Sequence, residues 1–456
     1  MDYVNLTDNL KFNIQKTMVY DDVETAADMV NKFILEKAKI HQLEVIEISD
    51  SFYIKKGKSP KAVIHLNADS KFLNRNLDYE DIDGARILAG KNIYLYNAVF
   101  VISNLLDLSD NDFDVLITNN NIQIDIINYS DLKEVLRSDK VINLNLRQAR
   151  CIADEFSALN LLNIKLPVNR YDNINDIKTF RLSLTNLIGG HTGEDLDKVR
   201  LNSIKSIMGL IRKIKSKVDL DIVRLQGGDR YDYIPNFSRI DFAINSEYEN
   251  ELVNTFDLYK NKYIEKNLKY EPELDINLEE IDGENYYPIS DKSFSRLSSF
   301  VELMPSGAYS VNSNNNQLIS SINLSTARTF EDYINFIVVC RSLSDESMNE
   351  MLEKMKTATN ISESNMNIGL SLPRWKNPDG MLTDSFIKAY KDLTNEDLPV
   401  VKTQYSLDSS MIFSKLDVKI VSLGVEYKQR EDDIYFTDLS EIMTVTNLID
   451  NVLSHI

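Results

Sequence analysis

Leu187-Ile-Gly-Gly-His-Thr-Gly193 sets three glycines around a single histidine. Glycine allows positive φ and a close approach of backbone to a ligand, so the stretch reads as a loop that presents His191. A turn in which His191 only packs or hydrogen-bonds locally fits the spacing equally well. With Gly227-Gly228 the loop takes five of the fourteen glycines, concentrating a scarce residue in one region. Just before it, Thr179 to Leu187 alternates as a half-buried strand does. Just after it, Asp197 to Lys217 predicts a helix whose apolar stripe is Val199, Ile204, Ile207, Met208, Ile211 and Ile214. Asp221–Leu225, Arg239–Ile244 and Tyr333–Cys340 read as further strands, and Tyr248–Lys266 and Glu346–Thr357 as helices. The middle of the chain is therefore α+β.

The flanks have a different texture. Positions 25–38 carry helical spacing, Ala62–Leu66 reads as a short buried strand, and Asn92–Leu106 is apolar almost all round. Phe113–Thr118, Ile122–Ile126 and Val141–Asn145 read as strands; after Pro373 come a helix at Asp384–Leu393, a strand at Val418–Leu423 and a helix at Asp438–Leu453. Strands separated by helical patterns argue for a sheet with parallel strands. The order predicts an α/β domain in two pieces, 1–176 and 378–456, interrupted by an inserted α+β domain over 177–377. There is no internal repeat, Asn312–Asn316 reads as a short polar loop, and the acidic run Glu271–Glu284 reads as a solvated loop or face.

At 456 residues with 43% hydrophobic and 9% aromatic content, the chain can fill two or three domain cores. Its formal charge of −19 opposes nucleic acid and anionic membrane as partners. Two cysteines, Cys151 and Cys340, give no disulfide framework, and a reducing compartment is expected. Met1–Phe12 lacks the basic start and apolar core of a secretion signal, and the longest apolar runs, such as Phe336–Cys340, fall far short of a membrane span. A soluble cytoplasmic protein is expected. Histidine is the limiting residue: His41, His65, His191 and the penultimate His455 are all there are. Any metal or acid–base site built on imidazole must use His65 or His191.

Nine short pieces, taken in order, resemble the aminoacyl-histidine (β-alanyl-histidine) dipeptidases, a branch of the di-zinc metallopeptidases. They are Ile64-His-Leu66, Ile142-Asn-Leu-Asn145, Leu187–Gly193, Gly227-Gly-Asp-Arg-Tyr-Asp-Tyr-Ile-Pro235, Leu303-Met-Pro-Ser-Gly307, Ser321-Ile-Asn-Leu324, Arg341-Ser-Leu343, Pro373-Arg-Trp-Lys376 and Val421-Ser-Leu-Gly424. The resemblance spans nearly the whole chain. It implies a zinc-peptidase-like α/β catalytic domain with a mixed, largely parallel sheet, interrupted by an inserted α+β lid and dimerisation domain. It also implies two zinc ions held by two histidines and three carboxylates, with a further carboxylate as general base on metal-bound water.

Carried over residue by residue, that ligand set fails. His65 matches the first histidine and is its only survivor, but the orienting aspartate two residues on is Asn67. The bridging-aspartate motif reads Ala89-Gly-Lys-Asn92, with Gly90 at the start of the altered segment; the paired glutamates are Asn119 and Asn120; the next carboxylate is Asn145; the last histidine maps near Gln429. Asp69, Asp81, Asp83, Asp432 and Asp433 are nearby acids, and chance proximity explains them better than a displaced site. The ligand-clamping side is less eroded. The resemblance gives His191, Asp232 (an asparagine in the family), Asn323, Arg341 and Gln404 (a histidine in the family) as ligand-binding candidates. For Arg341, a fork for a substrate carboxylate and a surface or interdomain ion pair remain equally open.

The expectation is a pseudoenzyme: a degenerate relative without catalytic residues or bound metal, acting as a binding or regulatory protein, dimeric through the inserted domain, with a peptide or small molecule as ligand. The alternatives are an active Xaa-His dipeptidase with a relocated or single zinc site, and a purely structural assembly protein.

Overall fold

Val63-Ile-His-Leu-Asn67 is buried at every position, as a strand covered on both faces must be. In the computed structural model it lies parallel between Phe113–Thr118 and Lys140–Asn143, and Lys419–Leu423 extends the parallel run on the far side of Lys140–Asn143. The structure describes residues 9–13, 25–49, 51–68, 78–81, 85–89, 93–119, 129–171, 177–193, 195–281, 287–313, 317–404, 416–431 and 434–456. Ile122–Ile126, Gly90, Asn120, Asp69, Asp83, Asp432 and Asp433 lie outside them, as do most of Asn312–Asn316 and the side chain of Asp81.

The chain divides into two units, one made of 1–156, 375–403 and 407–456, the other of 157–374 and 404–406. The first is α/β. Its nine-stranded sheet runs Glu44–Ile48, Ser51–Lys56, Phe113–Thr118, Val63–Asn67, Lys140–Asn143, Lys419–Leu423, Ile152–Phe156, Trp375–Lys376, with Val400–Thr403 also on Ile152–Phe156. The sheet is mixed: the four central strands are parallel, while the Glu44–Lys56 hairpin and Ile152–Phe156 join antiparallel. Helices Ala26–Ile40, Ile93–Leu108, Met381–Thr394 and Leu439–His455 pack into one apolar cluster with it. Thr25 and Asp28 form a capping box on Ala26–Ile40, and Phe33 meets Phe100 of Ile93–Leu108 edge-on at 6.2 Å. Because Ile93–Leu108 is apolar all round, nearly all of it is buried.

The second unit is an antiparallel sheet with helices. Its strands run Asp275–Ile281, Ile177–Thr185, Ser238–Asn245, Asp221–Gly227, Leu318–Thr329, Tyr333–Ser342, Ala158–Pro167, Asn365–Leu372, with Gly307–Val311 beside Leu318–Thr329. Ser203–Lys215, Glu249–Asn267, Asp291–Leu303 and Asp345–Ile361 are its helices, and their apolar residues share one cluster with the sheet.

Four expectations need correction. The boundary falls at 157 rather than 177, because Ala158–Pro167 pairs along its whole length with Tyr333–Ser342 and belongs to the second sheet. On the other side it falls at 375 rather than 378, because Trp375 pairs with Phe156. The helix predicted from Asp197 begins at Ser203, because the Asn202 side chain accepts from the amides of Ile204 and Lys205 and caps it; Val199, ahead of the cap, is 60% exposed rather than part of the stripe. In the acidic run, Glu271 is fully buried and accepts from the amides of Ile188 and Leu201 at 2.8 and 3.0 Å, whereas Asp275–Ile281 is a largely exposed edge strand. Both cysteines are free and buried, and among the described residues no helix is long and apolar enough to cross a membrane.

Gly424 follows the last parallel strand, and a Cβ there would lie 2.0 Å from the Leu146 carbonyl oxygen and 2.7 Å from that of Gln148. Both neighbours are backbone and cannot swing away. Gly424→Ala is expected to cost about 2 kcal/mol or more, as overpacking does, read as a lowered urea midpoint; an unchanged midpoint would contradict the close approach.

Candidate functional site

Ligands of parallel sheets bind outside the carboxyl ends of the strands. In the first unit those ends bring together His65 and Asn67, Thr118, Asn143 and Asn145, and Ser422 from four neighbouring strands. All six are buried. Asn143 Nδ2 donates to His65 Nδ1 at 2.9 Å and to Asn145 Oδ1 at 3.0 Å, while its Oδ1 accepts from the Asn145 amide at 3.0 Å and from Ser422 Oγ at 2.9 Å. Turning the Asn143 amide over would set oxygen against oxygen and N–H against N–H at Asn145, so its orientation is fixed by the network.

The histidine tautomer follows. With Nδ1 accepting, the ring proton is on Nε2, which donates to Thr118 Oγ1 at 3.0 Å; Thr118 Oγ1 in turn donates to Asn67 Oδ1 at 3.1 Å. Asn145 closes the ring by accepting from the Asn67 amide and donating to the Asn67 carbonyl, both at 2.8 Å. Burial drives the His65 imidazole from its usual 6.5 down to about 3, so the ring is neutral at neutral pH.

A zinc ion needs an unshared nitrogen lone pair and anionic oxygens. Here the only lone pair of His65 takes an amide proton, and its described strand-end companions are amides and hydroxyls. These residues do not fit a di-zinc centre. Among the described residues no group of three or more His, Cys, Asp and Glu could hold a metal ion. Asn119 is half-buried after its strand, and Gln429 is exposed on Lys428–Glu431 of a separate four-stranded sheet. Thr118, Asn143 and Ser422 had no role assigned from sequence, although a polar side chain inside a wholly buried strand is the signal that could have found them.

The second unit holds all five ligand-binding candidates. Gly190-His191 pairs with Tyr233-Ile234 as a short ribbon. Gly189 and Gly190 have φ of +65° and +141°, and a Cβ on Gly189 would lie 2.7 Å from the Tyr233 ring. His191 Nδ1 accepts from the Gly193 amide at 3.0 Å, and Nε2 lies 3.9 Å from Asp232, both of whose oxygens Arg230 also holds. Arg341 is 3% exposed, which excludes the surface ion pair; its Nε donates to Thr192 Oγ1 at 3.1 Å and a terminal nitrogen to the Gln404 carbonyl at 3.2 Å. The Gln404 amide donates to the carbonyls of Leu318 and Ile319. Asn323, fully buried, donates to the Tyr233 carbonyl and Ser325 Oγ. Gln404 and Asn323 thus spend their donors on the frame that carries His191 and Arg341.

The His65 network sets a pH dependence. Unfolded His65 takes a proton below about 6.5 and the folded ring does not, so its contribution is present above pH 6.5 and lost as pH falls toward 3. Relative to His65→Gln, the wild-type chain is expected to lose about 2 kcal/mol of stability between pH 7.5 and 5, read from urea unfolding at each pH. A constant difference over that range would contradict a neutral, sealed imidazole.

No family model and no curated protein matches the chain in sequence. Solved structures do match in fold. The aminoacylhistidine dipeptidase from Vibrio alginolyticus superposes with TM-score 0.69 at 17% identity, covering 98% of this chain and 96% of that one. A tripeptidase from Staphylococcus aureus gives 0.57 at 10% identity, covering 98% and 97%. An M20 family metallo-carboxypeptidase from Sulfolobus solfataricus gives 0.50 at 11%, covering 99% of each chain. At these identities the likeness concerns architecture: this chain has the M20 peptidase fold, the one its nine motifs resemble.

Proposed function

We propose that this chain is a catalytically degenerate relative of the di-zinc dipeptidases, a pseudoenzyme that binds a peptide or small molecule without hydrolysing it. The observation that supports this reading is the Asn143 amide on His65 Nδ1, which takes the lone pair a metal would need. Amides at Asn67 and Asn145, where the resemblance calls for carboxylates, support it further. Its ligand contacts are His191 on the glycine loop and the Arg341 guanidinium, whose planar fork suits a carboxylate. No cofactor takes part. The protein is cytoplasmic, and the inserted unit joins two copies into a homodimer.

The peptidase identity of the structural neighbours supports a second reading, an active dipeptidase with a displaced zinc. One experiment separates the two. Protein purified with excess zinc and passed through a desalting column is assayed for metal content and for turnover of Xaa-His dipeptides with added zinc, manganese or cobalt. Our reading predicts well under about one zinc per chain and no turnover; about two retained zinc ions with chelator-sensitive hydrolysis would overturn it. Calorimetry with alanyl-histidine is expected to show binding that Arg341→Lys weakens by about tenfold, since an ammonium cannot reproduce the fork.

A further inference from the structure

In the second unit, helix Ser203–Lys215 walls a cavity of about 310 Å³, at the small end of ligand pockets. Four cationic side chains line it, Lys198, Arg200, Lys205 and Lys213, and no Asp or Glu does. In a chain of net charge −19 this is a local reversal of sign. The nearby carboxylates are engaged: Asp195 holds Lys198 at 2.5 Å, Glu302 holds Arg212 at 2.6 Å, and Glu271 takes the amides of Ile188 and Leu201. Lys205 donates to the Met304 carbonyl, and its burial lowers its pKa. Arg200 and Lys213 have no ion pair with any described residue. Arg200 Nε is moreover buried without a hydrogen-bond partner, a costly arrangement unless something else supplies an acceptor.

A second, independent feature points the same way. Gly209 lies inside the helix and lines the cavity. Glycine there weakens a helix relative to alanine. Its φ is not positive, and a Cβ would meet nothing within 4 Å, so neither backbone nor packing requires it. What glycine preserves is the open volume beside the cations. The helix amides are not the attraction, because Asn202 already caps those of Ile204 and Lys205.

We propose that this cavity binds a small oxyanion carrying at least two negative charges, a phosphate ester or a polycarboxylate, gripped by Arg200, Lys213 and Lys205 over the face that Gly209 leaves open. The inference rests on residues of the second unit alone and does not depend on the function proposed above.

The test is calorimetry on the full chain at about 0.15 M salt, where diffuse surface attraction is screened, with pyrophosphate and citrate as probes. One of them is expected to bind with Kd of about 1 mM or tighter, and whichever binds better assigns the phosphate or carboxylate class. Arg200→Gln and Lys213→Gln are each expected to weaken binding about tenfold. Gly209→Leu is expected to abolish it while the chain stays folded, and Gly209→Ala to raise Tm. Arg212→Gln, outside the cavity on the same helix, should change nothing. Should Arg200→Gln fail to fold, Lys213→Gln, at an exposed position, decides. Absence of binding by both probes at 10-fold higher concentration, binding equally reduced by Arg212→Gln, or binding indifferent to Gly209→Leu would each overturn the proposal.

Discussion

His65 has no exposed surface, and both of its ring nitrogens find hydrogen-bond partners among the described residues. Much of the strand-end chemistry depends on that arrangement. A buried imidazole is tolerable when neutral and satisfied, and Asn143 and Thr118 satisfy it in a single proton order. The same asparagine orders Asn145, which holds the backbone of Asn67. Four strands are thus tied at their carboxyl ends by amides and hydroxyls. A partly satisfied version of such a network would cost more than an apolar core.

The second unit uses the same economy of polar groups toward a different end. Glu271, fully buried, accepts from the amides on both sides of the glycine loop, at Ile188 and Leu201. Thr192 and Gln404 brace Arg341, and Asn323 braces Tyr233, the strand partner of His191. Among the candidates named from sequence, Asn323 and Gln404 therefore support the elements that carry His191 and Arg341. Asp232 stands next to His191 but is shared with Arg230.

The fold was legible because its motifs occur in order and its central strands are rich in Val, Ile and Leu. What stayed hidden depended on pairing. Ala158–Pro167 follows Ile152–Phe156 almost directly and matches it in texture, so only its registry with Tyr333–Ser342 shows that it opens the second unit. Leu318–Thr329 is rich in Ser, Thr and Asn yet almost wholly buried, because its polar side chains find partners across the sheet that local hydropathy does not reveal. Glu271 looked like one more acid in an acidic run for the same reason. The amides at positions 67 and 145 could be read from the sequence, whereas the network that joins Asn67, Thr118, His65, Asn143 and Ser422 links residues 51 to 279 positions apart along the chain and needed the parallel register.

Long-range ¹H–¹⁵N spectra of the histidine rings, with His65→Gln supplying the assignment, show whether His65 is a sealed structural imidazole. A neutral ring at pH 5.5 with its proton on Nε2, unchanged by added zinc, is expected. A doubly protonated ring at that pH, or nitrogen shifts of His65 on adding zinc, would contradict it.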